Sequence, residues 1–231
     1  MGRTKRLITI HAGRLVRQVC YTQPFPRDDP AARAAKERCS TEARRLINAR
    51  LRYEKLHFLL AANFDSGLFL TLTYGGPYIP DTRKAARAEL TNYIIRLRQA
   101  FRAQGRELAY VYNTEQAHEN GRYHHHMVVN GTMDDVDLIA SRWPLGDVKA
   151  VPIDGERLEE LARYLTKEEP SRKVGGRYYS PSRGLKKPIR TSELVDSSFT
   201  LQAPVGAKVE NMESKSNYFG NYDYLSYLDS S

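Results

Sequence analysis

The chain has 231 residues and a formal charge of +9, so it is long enough to bury a core, and a polyanion is the first partner to consider. Its two cysteines, Cys20 and Cys39, stand far apart without Cys-x-x-Cys spacing, which argues against a disulfide scaffold and against a thiolate zinc site. The N-terminus is basic and broken by charges, unlike a signal peptide, and no apolar run approaches the roughly 18 residues of a membrane span; the expectation is a soluble, cytoplasmic protein without a membrane partner. Fifteen tyrosines against a single tryptophan suit base stacking beside arginines, and equally suit a sheet core.

Residues 7–22 read as two short strands around a turn at His11-Ala-Gly. Residues 30–62 contain no glycine after Pro30 and are rich in Ala, Arg, Glu and Leu, which predicts a long helix broken near Cys39-Ser-Thr41 with its arginines outside. Residues 68–74 (Leu-Phe-Leu-Thr-Leu-Thr-Tyr) form a strand, and after a Gly-Gly-Pro loop Asp81 or Thr82 caps a helix running to about residue 103. Strands follow over 108–114 and 123–130, with hairpin chemistry in Glu119-Asn-Gly-Arg between them. A short helix over 134–143, a strand over 147–153 and a helix over 156–167 complete the block.

This order predicts an α+β fold with a central antiparallel sheet of about five strands backed by helices, of the split-βαβ kind. Three segments are expected: an N-terminal hairpin and helix (1–66), a central core (67–170), and a basic loop with a Tyr-rich extension packed on the core (171–231). The stretch 171–190 carries Arg172, Lys173, Arg177, Arg183, Lys186, Lys187 and Arg190 with no acidic residue, and its glycines and prolines keep it irregular. Tyr178 and Tyr179 beside Arg177 and Arg183 place stacking faces next to phosphate partners, which favours a DNA-contacting loop over a solvated linker.

Three pieces carry chemistry. In the strand Tyr-His-His-His-Met-Val-Val, His124 and His126 share one face and His125 takes the other, so two imidazoles can meet one divalent ion. Glu115, at the end of the preceding strand, can add a carboxylate if the two strands form a hairpin; His118 and Glu119 are rival ligands in the loop. A hard oxygen beside two imidazoles suits Mn²⁺ or Mg²⁺ better than Zn²⁺. Tyr164 lies off the apolar stripe Leu158-Leu161-Ala162-Leu165, with Lys167 one turn later, where an ammonium group favours a phenolate nucleophile.

Phe69-Leu-Thr-Leu-Thr-Tyr, Glu115, His124-His-His126 and Tyr164-Leu-Thr-Lys167 fall in the order of the motifs of HUH endonucleases, and the chain resembles the rolling-circle replication initiators of small phages and plasmids over about residues 67–190. Ser182-Arg-Gly-Leu-Lys-Lys-Pro188 is similar to a basic motif of phage replication-associated proteins.

The resemblance implies that Glu115, His124 and His126 hold the metal, and that Tyr164 attacks the scissile phosphate while Lys167 assists. The products are a 5′-phosphotyrosyl link and a free 3′-hydroxyl, and the strand is later rejoined. Thr71, Thr73, Arg177, Tyr178, Arg183, Lys186 and Lys187 would face DNA. Single-stranded origin DNA, a host helicase and a polymerase are the implied partners in a bacterial cytoplasm.

Glu160 and Glu168 occupy the positions one turn from Tyr164, so a single-tyrosine enzyme is expected. The absence of a Gly-x4-Gly-Lys-Ser/Thr loop excludes a nucleotide cofactor of the P-loop type. Two other readings compete: a non-enzymatic nucleic-acid-binding protein that stacks bases on Tyr110, Tyr112 and Tyr123 of an RNA-recognition-like sheet, and an HUH transposase or relaxase.

Overall fold

Period-two alternation of apolar and polar residues sets which face of each strand is buried, and the chain uses it to build two antiparallel five-stranded sheets. The computed structural model describes residues 4–22, 41–117, 121–167, 177–217 and 220–230. In chain order the elements are β1 (Lys5–Ala12), β2 (Leu15–Thr22), α1 (Thr41–Ala61), β3 (Ser66–Thr73), α2 (Arg83–Ala103), β4 (Tyr110–Gln116) and β5 (Tyr123–Val129). There follow α3 (Val136–Ser141), β6 (Val148–Asp154), α4 (Leu158–Leu165), β7 (Ser180–Pro181), β8 (Ile189–Val195), β9 (Lys208–Asn217) and β10 (Gly220–Leu228). The fold is α+β, and it divides into Met1–Ala62 with Lys186–Ser231, and Asn63–Leu185.

The first unit is one sheet in the order β8-β1-β2-β10-β9. The N-terminal hairpin and the C-terminal strands, far apart in sequence, are therefore neighbours: β10 pairs with β2, and β8 with β1. One face buries Leu7, Val16, Cys20, Leu225 and Tyr227 under Leu201. The Tyr-rich extension contributes β8, β9 and β10 to this sheet. The expected helix over 30–40 lies outside the described residues, as do His118, Glu119, Arg172 and Lys173.

The second unit has the order β6-β3-β5-β4-β7. With β3-α2-β4-β5-α3-β6 in sequence, this is the split-βαβ arrangement anticipated above. Leu68, Leu70 and Leu72 of β3 point to one face with Met127 and Val129 of β5, and all are buried with Leu90, Tyr93, Leu97 and Phe101 of α2 and with Trp143. Each such side chain contributes about 1.5–3 kcal/mol of burial. Thr82 caps α2, accepting a hydrogen bond from the Ala85 amide at 3.1 Å, which settles the choice between Asp81 and Thr82.

Two boundaries differ from expectation for local reasons. β4 begins at Tyr110 rather than Leu108, because the Asn130 side chain accepts from the Ala109 amide at 2.9 Å and donates to the Glu107 carbonyl at 2.9 Å, taking over the ladder. The strand also runs on to Gln116, so Glu115 stands inside it rather than at its end. The helix over 134–143 is shortened to Val136–Ser141, preceded by a tight turn in which the Asp135 carboxylate accepts from the Thr132 amide at 2.8 Å.

His125 belongs to the helix-covered face, opposite its two neighbours. Its Nε2 lies 2.8 Å from the Tyr74 hydroxyl, which donates to the Ala86 carbonyl at 3.0 Å, and its Nδ1 lies 2.9 Å from Thr114 Oγ1. Because the phenol proton is spent on the carbonyl, Nε2 carries the imidazole proton and Nδ1 accepts from Thr114. Burial holds this histidine neutral, pushing its pKa down to about 3.

A group depressed in the folded state contributes stability that is present above its unfolded pKa and lost as pH falls. Urea unfolding of the metal-free protein should therefore show stability declining from about pH 6.5 toward about pH 3. His125→Gln should flatten that decline, whatever its effect on stability at neutral pH; an unchanged slope would show that His125 titrates normally.

Candidate metal centre facing a phenol

The other face of the second sheet is where the chemistry-bearing residues meet. Register puts Glu115 of β4 directly opposite His124 of β5, and Asn113 opposite His126. On the far side of β5, Thr71 of β3 stands opposite His126. Side chains at these paired positions share a face, so a carboxylate and two imidazoles converge without any loop having to fold over them.

Glu115 Oε2 lies 3.3 Å from His124 Nε2 and 3.4 Å from His126 Nε2. One donor atom from each of the three residues falls within 4.8 Å of the others, so the group could hold a metal ion. Thr71 Oγ1 sits 3.2 Å from His126 Nδ1. While Nε2 donates to the carboxylate, Nδ1 accepts from that hydroxyl; with a cation at Nε2 the proton would sit on Nδ1 and point at the hydroxyl. A carboxylate and two imidazoles are donors that one cation could share.

Glu115 is 4 % exposed. Burial alone opposes its charge, but hydrogen bonds to His124, His126 and Lys167 outweigh burial and hold the carboxyl well below the usual carboxylate range. Burial likewise lowers the pKa of His126, partly offset by Glu115, so its lone pair is available for a ligand.

α4 carries the second half of the site. Its apolar stripe buries Leu158, Ala162 and Leu165, and this turns Tyr164 outward. The phenol is 40 % exposed, yet its hydroxyl lies 3.0 Å from His126 Nε2. Phe69 and His126 stack at 5.4 Å, and Tyr164 meets both rings edge-on, at 6.0 Å and 5.0 Å. Lys167 reaches back over α4, with Nζ 4.2 Å from the Tyr164 ring centre and 3.1 Å from Glu115 Oε2. A cavity of about 450 Å³ opens beside the phenol, lined by Phe69, Ile153, Arg157 and Leu161.

The sequence reading missed Asn113. Buried at 2 % exposure, it donates to Glu115 Oε1 at 3.3 Å and to the Leu165 carbonyl at 3.2 Å, joining the carboxylate to the end of α4. Its signal was available, since it precedes Glu115 by two residues and so shares its face. Phe69 belongs to the strand motif, but its ring contacts with His126 and Tyr164 carry no sequence signal.

The residues expected to face DNA are dispersed. Thr71 is engaged with His126, and the Thr73 hydroxyl donates to the Asp147 carbonyl at 3.3 Å. Arg177 and Arg183 are exposed and Tyr178 is half-buried, on a segment stitched to β4 where Ser182 exchanges two hydrogen bonds with the Tyr110 backbone. Lys186 and Lys187 are exposed and belong to the first unit. Tyr110 lies in the core, and Tyr112 and Tyr123 are half-buried against it.

The positioning of Glu115 is testable through metal affinity. Mn²⁺ should raise the melting temperature of the native chain, and His124→Ala should abolish the rise. Asn113→Ala should weaken Mn²⁺ binding by about 10–100-fold; native affinity in that variant would reduce Asn113 to a packing residue.

No helix among the described residues is long and apolar enough to cross a membrane. No curated protein and no solved structure matches the chain. Residues 67–169, which contain the whole cluster together with Tyr164 and Lys167, match the model of a family described as replication-associated protein ORF2/G2P.

Proposed function

We propose that the chain is a replication initiator of the HUH endonuclease type, which nicks single-stranded origin DNA with Tyr164 and a divalent metal. The observation that carries this reading is the approach of the Tyr164 hydroxyl to within 3.0 Å of His126 Nε2, inside the only cluster among the described residues with metal-ligand chemistry. The family match supports a replication role for the same segment.

Glu115, His124 and His126 hold the ion, which when bound supplies Lewis-acid polarisation of the scissile phosphate. Tyr164 Oη forms a bond to phosphorus while the bond from phosphorus to the 3′-oxygen breaks, leaving a 5′-phosphotyrosyl link and a 3′-hydroxyl that a polymerase can extend. The phenol proton leaves to solvent or a neighbouring base, and the departing 3′-oxygen gains one. Lys167 would favour the negative charge that grows on the phenol and would meet a phosphate oxygen; its ammonium group 4.2 Å from the ring centre supports that role.

The exchange conserves a phosphoester, so strand rejoining by attack of a 3′-hydroxyl needs no nucleotide. Phe69 and His126 fix the ring from beneath, which limits the rotamers the nucleophile samples before attack. Exposure of the phenol leaves it open to a strand on the surface of the sheet.

Incubation with labelled single strands of origin sequence and Mn²⁺ should give a covalent protein–DNA adduct on denaturing gels. Chelation should remove it, and Tyr164→Phe should remove it while leaving strand binding nearly native. An adduct that survives in the Phe variant would show that another residue is the nucleophile.

A further inference from the structure

The first sheet has a second face, opposite its buried one, that contributes nothing to the metal cluster. Register places Tyr222 beside Tyr21, and Tyr224 beside Val19, on that face. α1 borders it through Phe58 and Glu54, and the half-open cavity measures about 620 Å³. That volume is in the range of sites that enclose an organic ligand, roughly 300–1,000 Å³.

The walls combine flat rings with cations. Tyr222 is 40 % exposed and stacks on Tyr21 at 6.2 Å with the planes 14° apart. Arg17 is buried at 6 % exposure, with its guanidinium 4.4 Å from the Phe58 ring and 5.2 Å from the Tyr224 ring. It pairs with Glu54 at 3.2 Å, but its Nε has no hydrogen-bond partner. Arg50, Arg190 and Lys215 add three further cations; Arg50 pairs with Glu54 at 2.9 Å and Lys215 pairs with Glu213, which leaves four cations against two carboxylates on the walls.

A buried guanidinium with an unused donor is costly in a wall that only needs to pack. The excess of cations points to an anionic occupant, and the rings point to one with π-faces. Both properties belong to nucleic acid. A duplex hides its base faces within the stack, whereas an unpaired strand presents each base to an aromatic platform with phosphates on either side.

We infer that this cavity is a second nucleic-acid site, which takes an unpaired nucleotide of single-stranded DNA with its base against Tyr222 and its flanking phosphates on Arg190 and Lys215. The site shares no residue with the metal cluster and stands independently of the nicking reading. It gives the first unit a role in holding the strand.

The experiment uses the full chain with Tyr164→Phe in chelator, so that no cleavage enters the measurement. A fluorescein-labelled single strand of mixed sequence is titrated by anisotropy over a series of salt concentrations. Adding Arg190→Gln and Lys215→Gln together should weaken binding at least about five-fold and reduce the slope of log affinity against log salt by about 1.4, two phosphate contacts at about 0.7 each. Tyr222→Ala should weaken binding by about five-fold or more, with Tyr222→Phe close to native.

A 5-iodouracil strand should crosslink to the peptide containing Tyr222. Unchanged affinity and slope in the double variant would overturn the inference, as would a blunt duplex that competes as well as the single strand, or crosslinks confined to other peptides. With Tyr164 intact, the native chain should form the covalent adduct with a short strand in Mn²⁺ whether or not the anisotropy series supports this site, so failure of this site and failure of the nicking reading show separately.

Discussion

The site depends on keeping one buried carboxylate ionised. Removing a carboxylate from water costs several kcal/mol even after relaxation, and Glu115 is almost fully enclosed. Its charge persists because two imidazoles and an ammonium group surround one oxygen while the Asn113 amide holds the other. Each partner sits where strand register or the end of α4 puts it. The β4–β5 register is thus the first requirement, because a slip of one residue would turn Glu115 to the opposite face of the sheet.

That register explains why the chain commits so much apolar material to the helix-covered face. Leucines at alternate positions of β3, with Met127 and Val129 of β5, bury one side completely and leave the other free for polar groups. His125 lies among them without disturbing the core, because two hydroxyls meet its two nitrogens. α4 then closes over the polar face with only a narrow apolar stripe. Its register is fixed by Leu158, Ala162 and Leu165, and the phenol is left at the margin.

Much of this was legible in the sequence because it rests on period. Alternation in Tyr-His-His-His-Met placed His124 and His126 together, and the 3.6-residue stripe of α4 placed Tyr164 outside it. Composition also revealed the α+β order of the central segment. Contacts without a local period were not legible. The pairing of β10 with β2 joins segments some two hundred residues apart, and nothing in either strand names its partner. Asn130 moved the start of β4 by a side-chain bond that propensity does not encode. Thr71 looked like a surface residue of a central strand, and only the β3–β5 register shows that its hydroxyl meets an imidazole.

Three consecutive histidines in one strand offer an internal comparison for the role of the cluster. His125 shows what a structural histidine requires: both nitrogens satisfied by hydroxyls, no charge, and no access to solvent. His126 departs from that pattern at one nitrogen only. Its Nδ1 is held by Thr71, but its Nε2 is shared between a carboxylate at 3.4 Å and a half-exposed phenol at 3.0 Å. The Tyr164 hydroxyl can donate to Nε2 as Thr114 does to His125, so what sets His126 apart is the carboxylate beside that nitrogen and the exposure of the phenol. An Nε2 committed to a cation can no longer hold the Tyr164 proton, so the contact that now restrains the phenol is one that ligand binding would loosen. The arrangement therefore supports the proposed reading, in which a cation at the three donors would compete for the nitrogen that now meets the phenol.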